Sequence, residues 1–120
     1  MRSGWQTHKD MQFFFCNYAN LDPKVLQVEM DEVDAFTGQQ PETSVLMLTD
    51  VRGLSPTRQI VGMFIKSASY TKKYLRKSAV IGIGFSGQRK VLFDAVMRVS
   101  GANVMVFEDI EKAKEWLVEG

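Results

Sequence analysis

The sequence has little of what disulfide-rich and metal-binding proteins depend on. Among its 120 residues there is one cysteine, Cys16, and one histidine, His8. A lone cysteine excludes an internal disulfide, and a lone histidine leaves no metal cluster or catalytic triad to assemble around it. We therefore expect no metal, no cofactor and no catalytic residues. Cys16 lies in an apolar run and is predicted to be a small buried side chain, not a nucleophile.

Long hydrophobic runs are missing as well. Each apolar run is shorter than about ten residues, too short to span a bilayer, and no leader-type segment opens the chain. With 45% apolar and 24% charged residues, the composition suits one soluble, cytoplasmic domain. We expect a flexible lead-in over residues 1–10, which are polar and show no period, and a single domain over residues 11–120.

Acidic residues are absent from one long segment. The net charge is only +1, yet residues 51–93 contain nine bases and no acid. These bases are Arg52, Arg58, Lys66, Lys72, Lys73, Arg76, Lys77, Arg89 and Lys90. They predict a locally positive surface, which is either a set of solvated helix faces or a contact for phosphate, lipid headgroups or an acidic protein.

Residues 78–108 predict the fold class. A short β-branched run, a glycine-rich turn, an amphipathic segment of about thirteen residues and a second apolar run form one βαβ unit. Further strands are predicted at residues 11–18 and 44–51, and the nearly continuous apolar pattern of the latter is typical of a central strand. The chain is therefore predicted to be an α/β protein, βαβαβαβα, with a four-stranded, mainly parallel sheet and four helices.

Capping residues predict where the helices begin. Asp22-Pro23 is typical of an N-cap followed by the first helical residue, and Gly38 of a helix end. Ser55-Pro56 repeats the N-terminal pattern, which places the second helix at residues 55–75. The third helix is expected at residues 86–99 and the last at residues 109–118.

Several stretches, together with the βα alternation, resemble the STAS superfamily, in particular its SpoIIAA-like branch, named after the anti-sigma-factor antagonists. The resemblance rests on residues 45–53, residues 78–82, Lys90-Val-Leu-Phe-Asp-Ala-Val-Met-Arg-Val-Ser-Gly101 and Val106-Phe-Glu-Asp-Ile-Glu-Lys-Ala-Lys-Glu-Trp-Leu117. The resemblance covers residues 11–120. It implies a non-enzymatic, regulatory module that binds a protein, a nucleotide or an apolar ligand.

The resemblance also raises Ser55 as a candidate phosphoacceptor. In the antagonists, a serine at the start of the second helix is phosphorylated within an Asp-Ser-Ser-Gly pattern. Here the corresponding residues are Gly53-Leu54-Ser55-Pro56-Thr57, so Ser55 is the nearest counterpart but the pattern is absent. Arg52 and Arg58 flank it in sequence and would favour a phosphate. A plain helix-capping role is the alternative.

Asp50 and Arg52 follow the predicted central strand. Carboxyl ends of strands are where open α/β sheets bind ligands. We expect the two side chains to form a structural ion pair, with ligand contact as the alternative.

A glycine motif gives an alternative function, that of a nucleotide- or dinucleotide-binding protein or a cofactor-dependent enzyme. Gly82, Gly84, Ser86 and Gly87 lie between a predicted strand and a predicted helix and satisfy G-x-G-x-x-G, and Glu108 ends the next strand. This is the context of a dinucleotide fingerprint, in which backbone N–H groups hold the pyrophosphate and an acid binds the ribose. Against it, the motif follows the third predicted strand, whereas dinucleotide folds place it after the first. A looser phosphate or anion site at this helix start is a further alternative.

The second and third helices carry more large apolar residues than one buried stripe can use. Aromatic and lysine side chains alternate there, as on helices that contact anionic lipid. The candidate ligand or membrane surface consists of Met63, Phe64, Lys66, Tyr70, Lys73, Tyr74, Phe93 and Met97. We expect an apolar or lipid ligand between the two helices or peripheral membrane contact, with ordinary core packing as the alternative. No nucleic-acid partner is expected; a protein partner and self-association stay open.

Overall fold

The computed structural model describes residues 1–119, which form five strands and four helices. The strands are β1 (Gly4–His8), β2 (Met11–Asn17), β3 (Val45–Asp50), β4 (Leu75–Ile81) and β5 (Met105–Phe107). The helices are α1 (Pro23–Thr37), α2 (Arg58–Thr71), α3 (Gly87–Ser100) and α4 (Ile110–Val118). A short 3₁₀ turn, Lys72–Tyr74, joins α2 to β4. No helix among residues 1–119 is both long and apolar enough to cross a membrane.

The strands lie in one sheet in the order of the sequence, β1-β2-β3-β4-β5. β1 is antiparallel to β2, and every other neighbouring pair is parallel. The predicted α/β class and the four helices are confirmed. The number of strands was wrong, because a fifth strand, β1, makes the sheet mixed.

The extra strand lies in the segment that the sequence predicts to be a flexible lead-in. That prediction is wrong for Gly4–His8, which pairs along its whole length with β2. Lys9 and Asp10 form the tight turn between the strands, both with positive φ. Trp5 packs edge-on against Phe14 at 5.5 Å between ring centroids. Backbone pairing, the contacts of Trp5 with Phe14 and Phe36, and a contact of His8 with α4 hold this edge strand, and none of them produces an apolar period in the sequence.

The helices are unequally divided between the two faces of the sheet. Strands β2 to β5 are parallel and adjacent in chain order, so each crossover moves one strand along the sheet in the same direction. Because these crossovers have the same hand, their helices α1, α2 and α3 lie on the same face. Their core includes Phe14, Met47 and Val80 from the sheet. α4 alone covers the opposite face, where Leu48 and Ile81 pack with Ala113 and Leu117 of the helix. Side chains therefore alternate between the two cores along each strand.

The predicted N-cap of α1 is confirmed, and the last helix begins one residue later than predicted, with Asp109 as its N-cap. The Asp22 carboxylate accepts from the backbone N–H of Lys24 and Val25, both at 3.0 Å, and Asp109 caps α4. The second helix differs, because it begins at Arg58 and Thr57 is its cap, accepting from the Ile60 N–H. Ser55 was therefore wrongly predicted as the N-cap.

Two lysines of the basic segment bind backbone carbonyls at the C-terminal ends of helices. Lys72 Nζ donates to the Ser100 carbonyl of α3 at 2.9 Å, beside the left-handed Gly101 that ends the helix. Lys77 Nζ donates to the carbonyls of Trp116 and Glu119 at the end of α4. A cation there binds otherwise unpaired carbonyls and offsets the negative end of the helix dipole. Part of the positive charge is thus structural.

Candidate functional site

A cavity of about 150 Å³ lies between α2, α3 and the face of the sheet that these helices cover. Its floor includes Cys16 of β2, Thr49 of β3 and Val80 of β4. Phe64 and Ala68 of α2 and Phe93, Val96 and Met97 of α3 form much of its cover. Most of the lining side chains are apolar, so the cavity suits an apolar occupant.

The cavity arises from small side chains at one level of the sheet. Cys16 pairs in register with Thr49, and Thr49 with Val80, so three small or medium side chains lie side by side. α2 contributes Ser67 and Ala68 to the same space. Close packing in protein interiors depends on matched volumes, so small residues on facing elements leave space between them.

The wall next to α1 carries a carboxyl group. Asp34 Oδ1 accepts a hydrogen bond of 2.7 Å from the Ser67 hydroxyl of α2. Burial disfavours the charged form and raises the pKa of Asp34 to about 6, although the Ser67 hydrogen bond and Lys66 act in the opposite direction. The cavity wall therefore holds an acid that titrates near neutral pH.

Two further titratable groups of the floor stay neutral. Burial raises the pKa of the Cys16 thiol to about 12, against lowering contributions from hydrogen bonds with Thr49 and Tyr18. Burial also raises the pKa of Tyr18 well above its usual value. The thiolate is the reactive form of cysteine, so the protonated Cys16 is a lining group, not a nucleophile.

Arg89, in the first turn of α3, lies at the end of the cavity next to the carboxyl ends of the strands. Its guanidinium donates to three backbone carbonyls, those of Val51, Leu54 and Gly82. These bonds connect the loop after β3 with the loop after β4. Ser55 and Pro56 are exposed and line the same cavity, so it reaches the surface at this end.

Asp50 and Arg52 form the expected ion pair. The buried Asp50 carboxylate accepts from Arg52 Nε at 3.0 Å and from Nη2 at 2.7 Å, and also from the Arg52 backbone N–H. The Asp50 side chain is 2% exposed and that of Arg52 63%. The pair closes the turn after β3 and lies outside the cavity lining.

The glycine motif forms the turn between β4 and α3. Gly82, Gly84 and Gly87 all have positive φ. A Cβ on Gly82 would lie 2.7 Å from the backbone nitrogen of Arg52, so a close approach of two chains requires glycine there. Ser86 is the N-cap residue of α3, but its side chain makes no capping hydrogen bond. Glu108 is exposed after β5, at the same edge of the sheet.

The strand order bears on the dinucleotide alternative. Doubly wound folds bind dinucleotides at a switch point, where the strand order reverses and two adjacent helices lie on opposite faces. In this sheet β2 to β5 follow one another without a reversal. The turn and Glu108 share an edge, and α3 and α4, which follow them, lie on opposite faces, but the sheet of residues 1–119 lacks the reversal of strand order that marks such a crevice.

The residues of the predicted ligand or membrane surface lie in two separate places. Phe64, Phe93 and Met97 line the cavity. Met63 packs against the core of the three-helix face. The other four follow the outer side of α2 and its 3₁₀ turn, where Lys66, Tyr70 and Lys73 are exposed, Tyr74 is half-buried, and the Tyr70 and Tyr74 rings lie 6.0 Å apart. The cavity and this exposed stripe are distinct features.

His8 lies away from the cavity, and two residues that line the cavity, Asp34 and Arg89, were not singled out from the sequence. His8 Nε2 lies 2.9 Å from Glu115 Oε1 and so ties β1 to α4. Among residues 1–119, no three metal-binding side chains converge. Asp34 and Arg89 were not predicted as site residues. Arg89 belongs to the acid-free basic segment, but nothing in the sequence separates it from the other eight bases.

Fold and site together define an α/β domain with an internal, mostly apolar cavity that opens beside an arginine. Comparison with family models, curated proteins and solved structures finds no match for this chain.

Proposed function

We propose that this protein is a non-catalytic binding domain that takes up a small apolar molecule between α2, α3 and the sheet. The observation that carries the proposal is the cavity of about 150 Å³, which Phe64, Phe93 and Met97 help to line. A space of this size inside a core costs stability that the protein would regain by repacking. Occupation by a ligand explains why it is kept.

The volume sets the size of the ligand. An engineered cavity of about 150 Å³ lined by aliphatic and aromatic side chains binds benzene. Pockets for drug-sized ligands are larger, from about 300 Å³ upwards. The ligand is therefore a single ring or a short branched chain. A long acyl chain would require α2 and α3 to move apart.

The chemistry of the lining supports binding without turnover. Cys16 and Tyr18 are both neutral at physiological pH because burial raises each pKa. Asp34 is the acid in the wall, and its partner is the Ser67 hydroxyl, not a histidine or a lysine. The lining contributed by residues 1–119 includes no histidine or lysine, the usual bases that activate a nucleophile for covalent catalysis, and the Ser67 hydroxyl has the Asp34 carboxyl as its partner.

A ligand screen with one matched pair of variants tests the proposal. Benzyl alcohol and toluene are titrated into the full chain, and unfolding temperature and calorimetric heats are recorded. A ligand at a hundredfold its Kd adds about 2.7 kcal/mol of stability. Ala68→Leu places a larger side chain inside the cavity and should abolish binding, whereas Ala35→Leu, an exposed position on α1, should leave it unchanged.

Two results would reject cavity binding. One is the absence of any shift with either compound. The other is a shift that Ala68→Leu leaves intact, since the ligand would then be bound elsewhere.

We also propose that the domain belongs to the SpoIIAA-like branch of the STAS superfamily and acts as a regulatory module. Its support is the residue resemblance together with the four successive strand-helix units, β2-α1, β3-α2, β4-α3 and β5-α4. Ser55 stays a candidate phosphoacceptor. It is exposed, two residues before the cap of α2, and it lines the open end of the cavity.

Two alternatives stay predictions. The glycine turn supplies backbone N–H groups at the start of α3, which suits phosphate in general, but the unreversed strand order does not favour a dinucleotide. The exposed stripe of Lys66, Tyr70, Lys73 and Tyr74 fits contact with anionic lipid, which flotation with anionic vesicles at low and high salt tests. Neither depends on the cavity.

A further inference from the structure

We infer that the cavity ligand is a small apolar carboxylic acid whose carboxylate binds Arg89. The inference rests on the proposed function and specifies the chemical class of its ligand. It starts from a juxtaposition at the open end of the cavity, where a guanidinium without an anionic partner faces an otherwise mostly apolar space.

The charge of Arg89 has no counter-ion among residues 1–119. Six ion pairs are formed in this part of the chain, and Arg89 is in none of them. Its neighbours are the neutral carbonyls of Val51, Leu54 and Gly82. The nearest acid in sequence, Asp94, pairs with Lys90, and Asp50, which directly precedes Val51, pairs with Arg52. A buried or half-buried cation is stabilised by an anion, and here a ligand can supply it.

The geometry leaves donors available. A guanidinium has five N–H groups, and the three carbonyls use one each on Nε, Nη1 and Nη2. About two N–H groups, one on each terminal nitrogen, are therefore left for a ligand. The carbonyls also hold the side chain in place, so little rotamer entropy is lost when it binds a carboxylate. Arg89 lies in the first turn of α3, where the helix dipole further favours an anion.

The opposite wall explains why the ligand's anion would lie at this end. Asp34 lines the cavity from α1, with Ser67 of α2 as its partner, and a second carboxylate beside it would be repelled. A molecule with one carboxylate and an apolar body therefore has a single favourable orientation. Its body lies over the floor of Cys16, Thr49 and Val80, and its carboxylate points towards Arg89 and solvent.

Benzoate and benzyl alcohol provide the test, because they share a ring and differ in the charged group. On the full chain at pH 7.5, benzoate should bind at least about tenfold more tightly than the alcohol, as expected for hydrogen bonds to a charged group. Arg89→Gln should remove that preference while the alcohol still binds. Arg89→Lys, which keeps the charge, should retain part of it. Arg58→Gln, an exposed arginine at the start of α2, should change nothing.

The results separate this inference from the proposed function. If the alcohol binds as tightly as benzoate to the unmodified chain, the carboxylate site is wrong and the apolar cavity stands. A preference for benzoate that survives in Arg89→Gln also overturns the inference. If neither compound binds, both proposals fail. If Arg89→Gln does not fold, the comparison on the unmodified chain and the partial loss expected in Arg89→Lys still test the inference.

Discussion

The two faces of the sheet are built from the same strands but are packed differently. Below α4, Leu48 and Ile81 meet Ala113 and Leu117, and all four side chains are at most 2% exposed. Below α2 and α3, the side chains of the same strands are smaller and partly polar, and they enclose a cavity of about 150 Å³. Within residues 1–119, the single short helix α4 packs against its face of the sheet without a cavity of this kind, whereas α1, α2 and α3 leave a cavity between themselves and the sheet.

The difference follows from the alternation along β2, β3 and β4. On the α4 face, Phe15, Leu48 and Ala79 pair in one row of the sheet. On the other face, the next row is Cys16, Thr49 and Val80. Because successive side chains point to opposite faces, the volume of each face is set independently. The α4 face is therefore filled by its own side chains, whereas the cavity face keeps the volume in which we propose that a ligand binds.

Truncating one isoleucine on each face should give the largest difference in unfolding free energy between the two faces. Ile81→Ala removes a side chain packed on all sides and should cost about 4 kcal/mol, within the usual range for such changes. Ile60 is also buried but borders the cavity, so Ile60→Ala loses fewer contacts and should cost about 2 kcal/mol. Urea unfolding of both variants measures the difference. Equal losses would mean that the cavity is closed in solution.

Enlarging one alanine on each face should give effects of smaller size and different sign. Ala113 is fully buried against the sheet, so Ala113→Leu should lower the free energy of unfolding by about 1–3 kcal/mol. Ala68→Leu fills existing space and should leave stability unchanged or raise it by up to about 1 kcal/mol. Thermal unfolding without ligand compares the two. A loss at Ala68 as large as that at Ala113 would show that the space is too small or misshapen for a leucine.

Local patterns were sufficient to predict the elements that depend on local physics. Asp22 and Gly38 delimit α1 as predicted, because capping involves groups a few residues apart. The start of α2 was missed because Ser55 and Thr57 are both good caps. The choice between them depends on distant contacts, namely burial of Leu54 and the bond from Arg89 to its carbonyl. β1 was missed for a related reason, since backbone pairing with β2 leaves no signal in its side chains.

The site was predictable in part. The excess of apolar residues on the second and third helices indicated that Phe64, Phe93 and Met97 could face a ligand, and these three line the cavity. Tyr70 and Tyr74 belong to the same sequence pattern but lie outside the cavity lining, Tyr70 on the outer side of the last turn of α2 and Tyr74 in the 3₁₀ turn that follows it. Asp34 and Arg89 become site residues only through contacts between elements, which sequence spacing does not encode.

The smallest effect concerns Asp34, the ionisable group in the wall of the cavity face. Burial raises its pKa from 3.8 to about 6, so the folded protein retains a proton that the unfolded chain releases between these values. Because of this group, stability falls as pH rises from about 4 to 6 and is then constant.

Asp34→Asn removes this loss and keeps an acceptor for Ser67. The carboxyl is partly exposed, so solvent screening limits the gain to about 1 kcal/mol at pH 7.5, with none expected near pH 4. Urea unfolding at both pH values measures it, and Glu42→Gln, at an exposed position in the loop after α1, is the control. A gain of the same size at both pH values would show that ionisation of Asp34 is not its cause.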